Sequence, residues 1–336
     1  MRVDIRHLTL PESFHEMTDF YLPEEKPMYG VAYPDAQPLR KLPEYNDVIL
    51  SMLEAAKSSP KLEFSLELIN ESGYRVLFRG HSIQSIEGKV YIFRRLPSNI
   101  PSIEKIGMPP PIIELLTDKN LNRGGLIIIA GETGQGKSTT AAATIAHRLS
   151  HFGSFCLTIE NPVELPLQGF YGEDNEGVCF QTEVDDDGIL DAIKSSLRCY
   201  PSVSNSILFL GEIRDGMMAS EVLKVAANGH LVITTMHGSN LITSLKRFIS
   251  LAAGYMPGNN AEAEVKSIFS SVFRLLIHQR MEILHNGKKR LMPEILFSSH
   301  SASPIANRLK SNNLDALATE IQSQNMTWTK GGSLKS

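Results

Sequence analysis

The sequence predicts an α/β protein in which a doubly wound, mostly parallel sheet follows a smaller α+β domain. Beyond residue 112, short apolar runs of strand length alternate with segments of helical apolar spacing, which is the pattern of a parallel sheet covered by helices. Between residues 45 and 97, one helical segment precedes three alternating runs that are separated by the turn sequences NESG and EG. At 336 residues the chain is long enough for two such domains.

The chain divides into five predicted segments. Residues 1–44 are rich in Pro, Glu and Tyr and lack sustained periodicity, so we expect an extended arm that either wraps a neighbouring subunit or stays mobile. The α+β domain follows over 45–97, and prolines then mark a linker over 98–111. The α/β domain occupies 112–300. A polar C-terminal tail, predicted to hold one weak helix and a loose end, occupies 301–336.

Each predicted element rests on local spacing. In the first domain, apolar residues at helical spacing predict a helix near residues 46–57: Val48, Ile49, Met52, Leu53 and Ala56. In the α/β domain, four apolar runs are the predicted strands: 126–130, SFCLTI, 206–210 and 230–236. The predicted helices lie at about 137–151, 189–199, 216–228 and 240–252. Segment 261–284 is predicted as an amphipathic helix that runs into a strand.

Composition and charge narrow the classes of partner. The formal net charge of −4 provides no overall attraction to nucleic acid, so we expect no direct nucleic-acid binding. Three widely spaced cysteines form no metal-binding pair and leave one over in any disulfide scheme, which predicts reduced thiols. No run approaches the roughly 18 apolar residues of a membrane span, so we expect a cytoplasmic protein with only peripheral membrane association.

The stretch LIIIAGETGQGKSTTAAA, residues 126–143, carries the clearest chemistry. It meets the pattern G-x-x-x-x-G-K-[ST] between a predicted strand and a predicted helix. Glycines let successive backbone amides face phosphate oxygens, and the helix adds its positive dipole end. The lysine reaches the β- and γ-phosphates and the serine hydroxyl ligates Mg²⁺. The predicted nucleotide-binding residues are Gly131, Thr133, Gly134, Gln135, Gly136, Lys137, Ser138 and Thr139, with Ser138 as the Mg²⁺ ligand.

Acidic residues follow two of the predicted strands, at the edge where ligands bind to parallel sheets. Glu212 is the first acid after the strand SILFL. A glutamate there is placed to orient or deprotonate an attacking water, which favours hydrolysis over transfer to a second substrate. Glu160 and Glu164 follow the second strand, where one carboxylate near Mg²⁺ or water would be useful. The alternative for each acid is a helix cap or a solvated surface carboxylate.

Two histidines bracket the fourth predicted strand, His230 before it and His237 after it. A neutral histidine at a strand end can hydrogen-bond the γ-phosphate or link the site to a neighbouring subunit. A lone His237 is equally compatible with a structural role.

Four of these motifs, GETGQGKS, TIENPVE, GEIRD and GHLVITTMH, resemble in their order the four boxes of the secretion ATPase superfamily. That group powers type IV pili, type II secretion and type IV secretion, and the resemblance over about residues 70–297 is greatest to its PilT-like, DotB-like and TraJ-like branch. It implies a hexameric ring in which PAS-like N-terminal domains sit over a RecA-like ATPase core. It also implies ATP and Mg²⁺ as cofactors, and inner-membrane machine components as partners at the cytoplasmic face of a bacterial inner membrane.

The resemblance implies roles for the matched residues. Lys137 and Ser138 would bind phosphate and Mg²⁺. Glu164 and Glu212 would be the catalytic carboxylates, and Glu160 would support them. His230 and His237 would fill the two histidine positions.

Arginines complete the implied site. Arg75 and Arg94 resemble arginines that the N-terminal domain sends to the γ-phosphate, in some states from the adjoining subunit. An arginine finger contributes a factor of about 10³ to 10⁵ in rate. The alternative for both is a solvated strand face. Arg198, in SLRCYP, resembles a further site arginine.

Departures from the family pattern shape the functional hypothesis. Thr182 stands where the family often has arginine, Asn161 stands where it often has aspartate, and residues 300–336 lack the AIRNLIRE-like motif of retraction motors. We therefore favour an ATP-hydrolysing ring motor of a type IV secretion or conjugation apparatus. The alternatives are a pilus assembly or retraction motor and a subunit that binds nucleotide without hydrolysis. A small-molecule kinase is disfavoured by the strand-end glutamate.

Overall fold

Two units of structure make up the chain in a computed structural model. The structure describes residues 2–10, 14, 17–59, 62–73, 75–201, 206–285, 289–300, 303–311 and 314–334. The N-terminal unit consists of Met1–Asn99 with Glu164–Pro166, and the C-terminal unit consists of Ile100–Val163 with Leu167–Ser336. The division falls inside the predicted linker, but residues 100–111 belong to the C-terminal unit.

A mostly antiparallel sheet forms the N-terminal unit. Its elements in chain order are β1 (Arg2–Leu10), β2 (Asp19–Pro23), β3 (Val31–Tyr33), β4 (Gln37–Pro38), α1 (Asn46–Lys57), β5 (Glu63–Asn70), β6 (Arg75–Ser85) and β7 (Gly88–Arg95). The strand order is β1-β5-β6-β7-β2-β3-β4, and β1 runs parallel to β5. The predicted apolar stripe of α1 is buried in the core of this unit, together with aromatic rings from β2, β5, β6 and β7.

The predicted extended arm over residues 1–44 is wrong. β1 pairs with β5 and β2 pairs with β7, so the segment supplies strands to the sheet. Phe20, Leu22 and Leu39 are fully buried. β2, β3 and β4 hold only two to five residues each, which is too few for alternation to show in a sequence window, so residues 19–38 appeared irregular.

The C-terminal unit is built on a twisted sheet with the order β10-β11-β9-β12-β13-β8-β14-β15. Its strands are β8 (Gly125–Gly131), β9 (Ser154–Glu160), β10 (Gly169–Tyr171), β11 (Gly177–Glu183), β12 (Ser206–Ile213), β13 (Leu231–His237), β14 (Phe273–Ile283) and β15 (Lys289–Phe297). The inner strands pair in parallel, whereas β10 and β15 join the two edges antiparallel.

Helices connect the strands of the C-terminal unit. They are α2 (Pro110–Leu116), α3 (Lys137–Phe152), α4 (Ile189–Ser196), α5 (Gly216–Ala227), α6 (Leu241–Tyr255), α7 (Ala261–Val272), α8 (Pro304–Lys310) and α9 (Leu317–Thr329). Leu126 and Ile128 pack in the core with α5, α6 and α7, while Ile127 and Ile129 on the opposite face of β8 are equally buried. Burial on both faces explains the continuous apolar run of this strand.

The polar C-terminal tail packs more closely than predicted. Leu309 of α8 and Leu317 of α9 are fully buried in the core of the C-terminal unit. The side-chain amide of Asn325 accepts from the Ile295 amide and donates to its carbonyl, both at 3.1 Å, and Gln324 pairs with Phe297 in the same way. These polar side chains cover the free edge of β15. The spacing of apolar residues in the sequence could not predict such polar contacts.

Across the part of the chain that the structure describes, the helices are too short or too polar to cross a membrane.

Candidate active site

The phosphate loop lies between β8 and α3, as the motif predicts. The φ angle is 78° at Gly136 and 76° at Gly134, in a backbone region that residues other than glycine rarely adopt. A Cβ added at Gly131 would lie 2.5 Å from the backbone oxygen of Gln279, so only glycine fits there. A Cβ at Gly134 would meet no atom within 4 Å, so it is the left-handed backbone and not close packing that requires glycine there.

The first turn of α3 presents donors to this space. The first bond inside the helix is donated by the Thr140 amide to the Gly136 oxygen at 3.0 Å, so the helix does not use the amides of Ser138 and Thr139. These amides carry the positive end of the helix dipole. The Lys137 side chain is buried, and its Nζ donates to the Glu132 oxygen at 2.9 Å.

His237 joins the phosphate loop to Glu212. Its Nε2 lies 3.0 Å from Glu212 Oε1, and its Nδ1 lies 3.5 Å from Lys137 Nζ. Because an ammonium only donates, Nδ1 is assigned as the acceptor and Nε2–H as the donor to the carboxylate. β12, β13 and β8 are neighbours in the sheet, and their carboxyl ends bring these three side chains together. Lys137, His237 and Glu212, each of which was predicted separately, therefore form a cluster within one chain.

An irregularity in β12 helps to direct Glu212. The register with β13 shifts between Leu210 and Ile213, and the Thr235 hydroxyl donates to the Gly211 oxygen at 2.7 Å across that shift. Bulges of this kind turn a side chain away from regular alternation. Glu212, the second-to-last residue of β12, thus has a half-buried side chain that contacts His237 on the next strand.

Arg214 is a site residue that the sequence analysis missed. Its Nε donates to Glu212 Oε2 at 3.2 Å, and its Nη2 donates to the Asn161 oxygen at 2.8 Å. Asn161 in turn donates to Asp186 at 2.7 Å. Both oxygens of Glu212 are therefore held, one by His237 and one by Arg214. Arg214 lies one residue beyond the end of β12, and the Asn161 carbonyl that it binds is 53 positions away, so no periodicity in the sequence indicates its role.

Glu160 lies at the carboxyl end of β9 and is buried. Its Oε1 accepts from Gln181 Nε2 at 2.8 Å, and its Cγ lies 3.4 Å from a Cβ built on Gly211. Glu160 therefore lies beside the carboxyl end of β12, the strand that carries Glu212.

His230 lies before β13, away from the cluster of Lys137, His237 and Glu212, and Arg198 lies between α4 and β12. Their predicted contacts with nucleotide remain predictions. His230 directly precedes β13. The seven residues of β13 span about 20 Å, so His230 lies at the amino end of the strand and His237 at its carboxyl end. The His230 ring packs against Tyr200 with centroids 4.4 Å apart and contacts the Ser206 hydroxyl. Arg198 is exposed two residues before Tyr200. The order of the boxes along the chain does not reveal at which end of a strand a residue lies.

Burial lowers the pKa of His230 below its ordinary value of 6.5, which gives a test of its structural role. A depressed folded-state pKa means that the neutral ring is favoured by folding, so this stabilisation is present above 6.5 and is lost as the pH falls below it. Between pH 7.5 and 5.5, we expect the melting temperature of the wild type to fall by more than that of His230→Gln. If the melting temperatures of the two proteins, measured by differential scanning calorimetry, change with pH in the same way, the structural role of His230 is contradicted.

Three predicted site residues belong to the N-terminal unit. Glu164 is exposed in the short segment Glu164–Pro166. Arg94, on β7, donates from Nε to Asp19 Oδ1 at 2.7 Å, and this hydrogen bond raises the pKa of its guanidinium. Arg75 begins β6, and its side chain lies outside the described part of the structure. The roles of these residues remain predictions.

The residues at the loop fit a magnesium ion that accompanies a nucleotide. Among the described residues, no group of three His, Cys, Asp or Glu side chains could hold a metal ion. Mg²⁺ on nucleotides typically needs only one or two protein oxygens beside phosphate and water. The half-exposed Ser138 hydroxyl, in the first turn of α3, can supply such an oxygen.

Comparison with known proteins gives the family. A family model described as type II/IV secretion system protein matches residues 64–308. The type IV pilus ATPase PilU of Pseudomonas aeruginosa is 28% identical over 239 residues, which are 70% of this chain and 58% of PilU. The pilus retraction ATPase PilT of the same organism is 28% identical over 274 residues, which are 81% of this chain and 70% of PilT. The chain thus spans less than two thirds of the length of PilU.

Solved structures show a similar fold. A crystal structure of the pilus retraction motor PilT with bound ADP superimposes with a TM-score of 0.74 and 25% identity, covering 94% of this chain and 90% of that one. The ATPase DotB of Legionella pneumophila gives a TM-score of 0.67 at 18% identity, covering 96% and 90% of the two chains. The predicted RecA-like core with a smaller N-terminal domain is confirmed. Matched over most of its length, the chain belongs to the type II/IV secretion system protein family.

Proposed function

We propose that the chain is an ATP-hydrolysing motor subunit of a type IV machine. The observation that supports this most strongly is the connection from Lys137 through His237 to Glu212. It couples the residue that binds phosphate to the residue that activates water. The similarity to PilT, which was crystallised with ADP, supports adenine nucleotide as the ligand.

The residues of this chain have distinct roles in the proposed reaction. The loop amides and Lys137 bind the phosphates and neutralise their charge. Ser138 would hold Mg²⁺, which when bound adds positive charge at the β- and γ-phosphates. Glu212 orients the attacking water and takes its proton. His237 and Arg214 fix the two oxygens of Glu212, so that the carboxylate meets the water in one orientation.

Buried Lys137 offers the most direct test that this loop binds nucleotide. We expect Lys137→Ala to weaken binding of a fluorescent ADP about 10- to 100-fold, because charged hydrogen bonds to phosphate are lost. Lys246→Ala is the matched control, since Lys246 is exposed and pairs with Asp315 at 2.8 Å. Unchanged affinity in the Lys137 variant, measured by fluorescence titration, would contradict binding at this loop.

Assembly into a six-membered ring is the second part of the proposal, and it follows from the resemblance of the sequence motifs to the secretion ATPase superfamily. In that ring, Arg94 and Arg75 would contact nucleotide bound to the same or an adjoining subunit, and Glu164 would act as a second carboxylate. Inner-membrane components at the cytoplasmic face would be the partners of the ring. A subunit that binds nucleotide without hydrolysis would need neither the arginines nor Glu212, so turnover assays decide between the two possibilities.

Two kinds of machine are compatible with the family. The absence of a retraction-type motif in residues 300–336 favours secretion or conjugation. The match to the pilus ATPases PilU and PilT favours the pilus alternative. Deletion of the gene separates them, since loss of substrate or DNA transfer with normal piliation supports the first, and loss of pili or twitching supports the second.

A further inference from the structure

β14 runs beside the phosphate loop, although it lies far from it in sequence. β14 pairs in parallel with β8, with Ile277 opposite Ile129 and His278 opposite Ala130. The next residue of β14 is Gln279, which is only 1% exposed. It therefore lies beside Gly131, where the phosphate loop begins.

Two hydrogen bonds run from donors on β14 to acceptors on the loop. Gln279 Nε2 donates to the backbone oxygen of Gln135 at 2.6 Å, and the Met281 amide donates to the side-chain oxygen of Gln135 at 2.5 Å. The residue that they hold, Gln135, lies directly before the left-handed Gly136. β14 thus fixes both the backbone and the side chain at the centre of the loop.

The planar peptide bond transmits this contact to the phosphate-binding side. In a trans peptide, the carbonyl of Gln135 and the amide N–H of Gly136 point in opposite directions. Because Gln279 holds the carbonyl against β14, the Gly136 N–H points away from β14. Rotation of this peptide would replace a donor by an acceptor and repel a phosphate.

An unsatisfied atom indicates that stability alone does not explain Gln279. Its Oε1 is buried and has no hydrogen-bond partner among the described residues. An unpaired buried carbonyl is unfavourable for folding. The Nε2 donor is therefore the part of the side chain that an apolar residue of the same size could not replace.

We propose that Gln279 is a positioning residue for nucleotide binding, which holds the Gln135–Gly136 peptide with its N–H directed to the phosphates. The inference rests on the proposed function, since it assumes that the loop binds nucleotide. It adds β14, a strand outside the recognised motifs, to the parts of the chain that determine affinity.

Gln279→Met tests the donor, because methionine is similar in size and cannot donate. We expect fluorescent ADP to bind about tenfold more weakly, with a melting temperature equal to or above that of the wild type. Gln322→Met, on the exposed face of α9, is the matched control and should leave affinity unchanged. Wild-type affinity in Gln279→Met would overturn the proposal.

Gln279→Glu provides a second test with a pH readout. An ionised carboxylate cannot donate to the Gln135 oxygen, whereas a protonated carboxyl group can, and burial raises the pKa of a carboxyl group. We expect binding to be about tenfold weaker than wild type at pH 8 and within about threefold of it at pH 6. An affinity of Gln279→Glu equal to that of the wild type at pH 8 would overturn the proposal.

The two variants distinguish failure of the inference from failure of the proposed function. If the wild type itself binds no ADP, the proposed function fails. If the wild type binds ADP and both variants bind it equally well, only the role of Gln279 fails. If Gln279→Met does not fold, the pH profile of Gln279→Glu decides.

Discussion

Replacement of Glu212 by glutamine should lower ATP turnover by about 10²- to 10⁴-fold and leave nucleotide affinity within about threefold of wild type. Glutamine keeps the size of the side chain, but its amide cannot accept the proton of the attacking water. The carboxylate of Glu212 contacts His237 and Arg214 and not the backbone of the phosphate loop. Its replacement should therefore slow hydrolysis and leave the nucleotide contacts of the loop unchanged. Steady-state phosphate release and ADP titration measure the two effects separately.

Glu183→Gln is the matched control for this prediction. Glu183 ends β11, two strands away from β12 on the same edge of the sheet. We expect its turnover to stay within about twofold of wild type, because the loss of one negative charge at a distance from Glu212 should not affect catalysis. Equal turnover in wild type and Glu212→Gln would remove Glu212 from the chemistry and return the binding-only subunit to consideration.

Replacement of Arg94 by alanine should lower turnover by about 10³-fold without a change in ATP affinity, if Arg94 acts as an arginine finger in the proposed ring. The Arg94 side chain is 66% exposed, and Asp19, its partner among the described residues, binds only Nε. Its two terminal nitrogens are therefore available for phosphate oxygens. A coupled-enzyme turnover assay at saturating ATP measures the effect.

A second arginine in the N-terminal unit controls for general loss of positive charge. Arg40 lies over the Tyr29 ring at 5.9 Å and has no role in the proposed site. Arg40→Ala should keep wild-type turnover. An Arg94 variant that turns over as fast as Arg40→Ala would assign Arg94 to a solvated strand face.

The fold and the position of the phosphate loop could be predicted because their signals are local. The phosphate loop is defined by a short motif between a strand and a helix, and the structure places it there. Glu212 and His237 could be predicted to lie together because the carboxyl ends of parallel strands share one edge of the sheet. The same rule places His230 at the other edge of the sheet, because it comes before β13.

The supporting residues could not be predicted because their contacts join distant parts of the chain. Gln279 is 144 positions from Gln135, and Arg214 is 53 positions from the Asn161 carbonyl that it binds. Side-chain amides and guanidinium groups carry no periodicity that would indicate these partners. Their roles depend on strand order, which places β14 beside β8 and β12 beside β9.

The central claim is that the Lys137, His237 and Glu212 cluster hydrolyses ATP in an assembled ring. The most direct test is the ATPase rate per subunit as a function of protein concentration, with the mass measured by light scattering, for wild type and Glu212→Gln. We predict that the wild-type rate per subunit rises as a species of about six subunits forms, and that the variant assembles with almost no turnover. A rate that belongs to the monomer and does not change with concentration, or equal rates in the two proteins, would contradict the account.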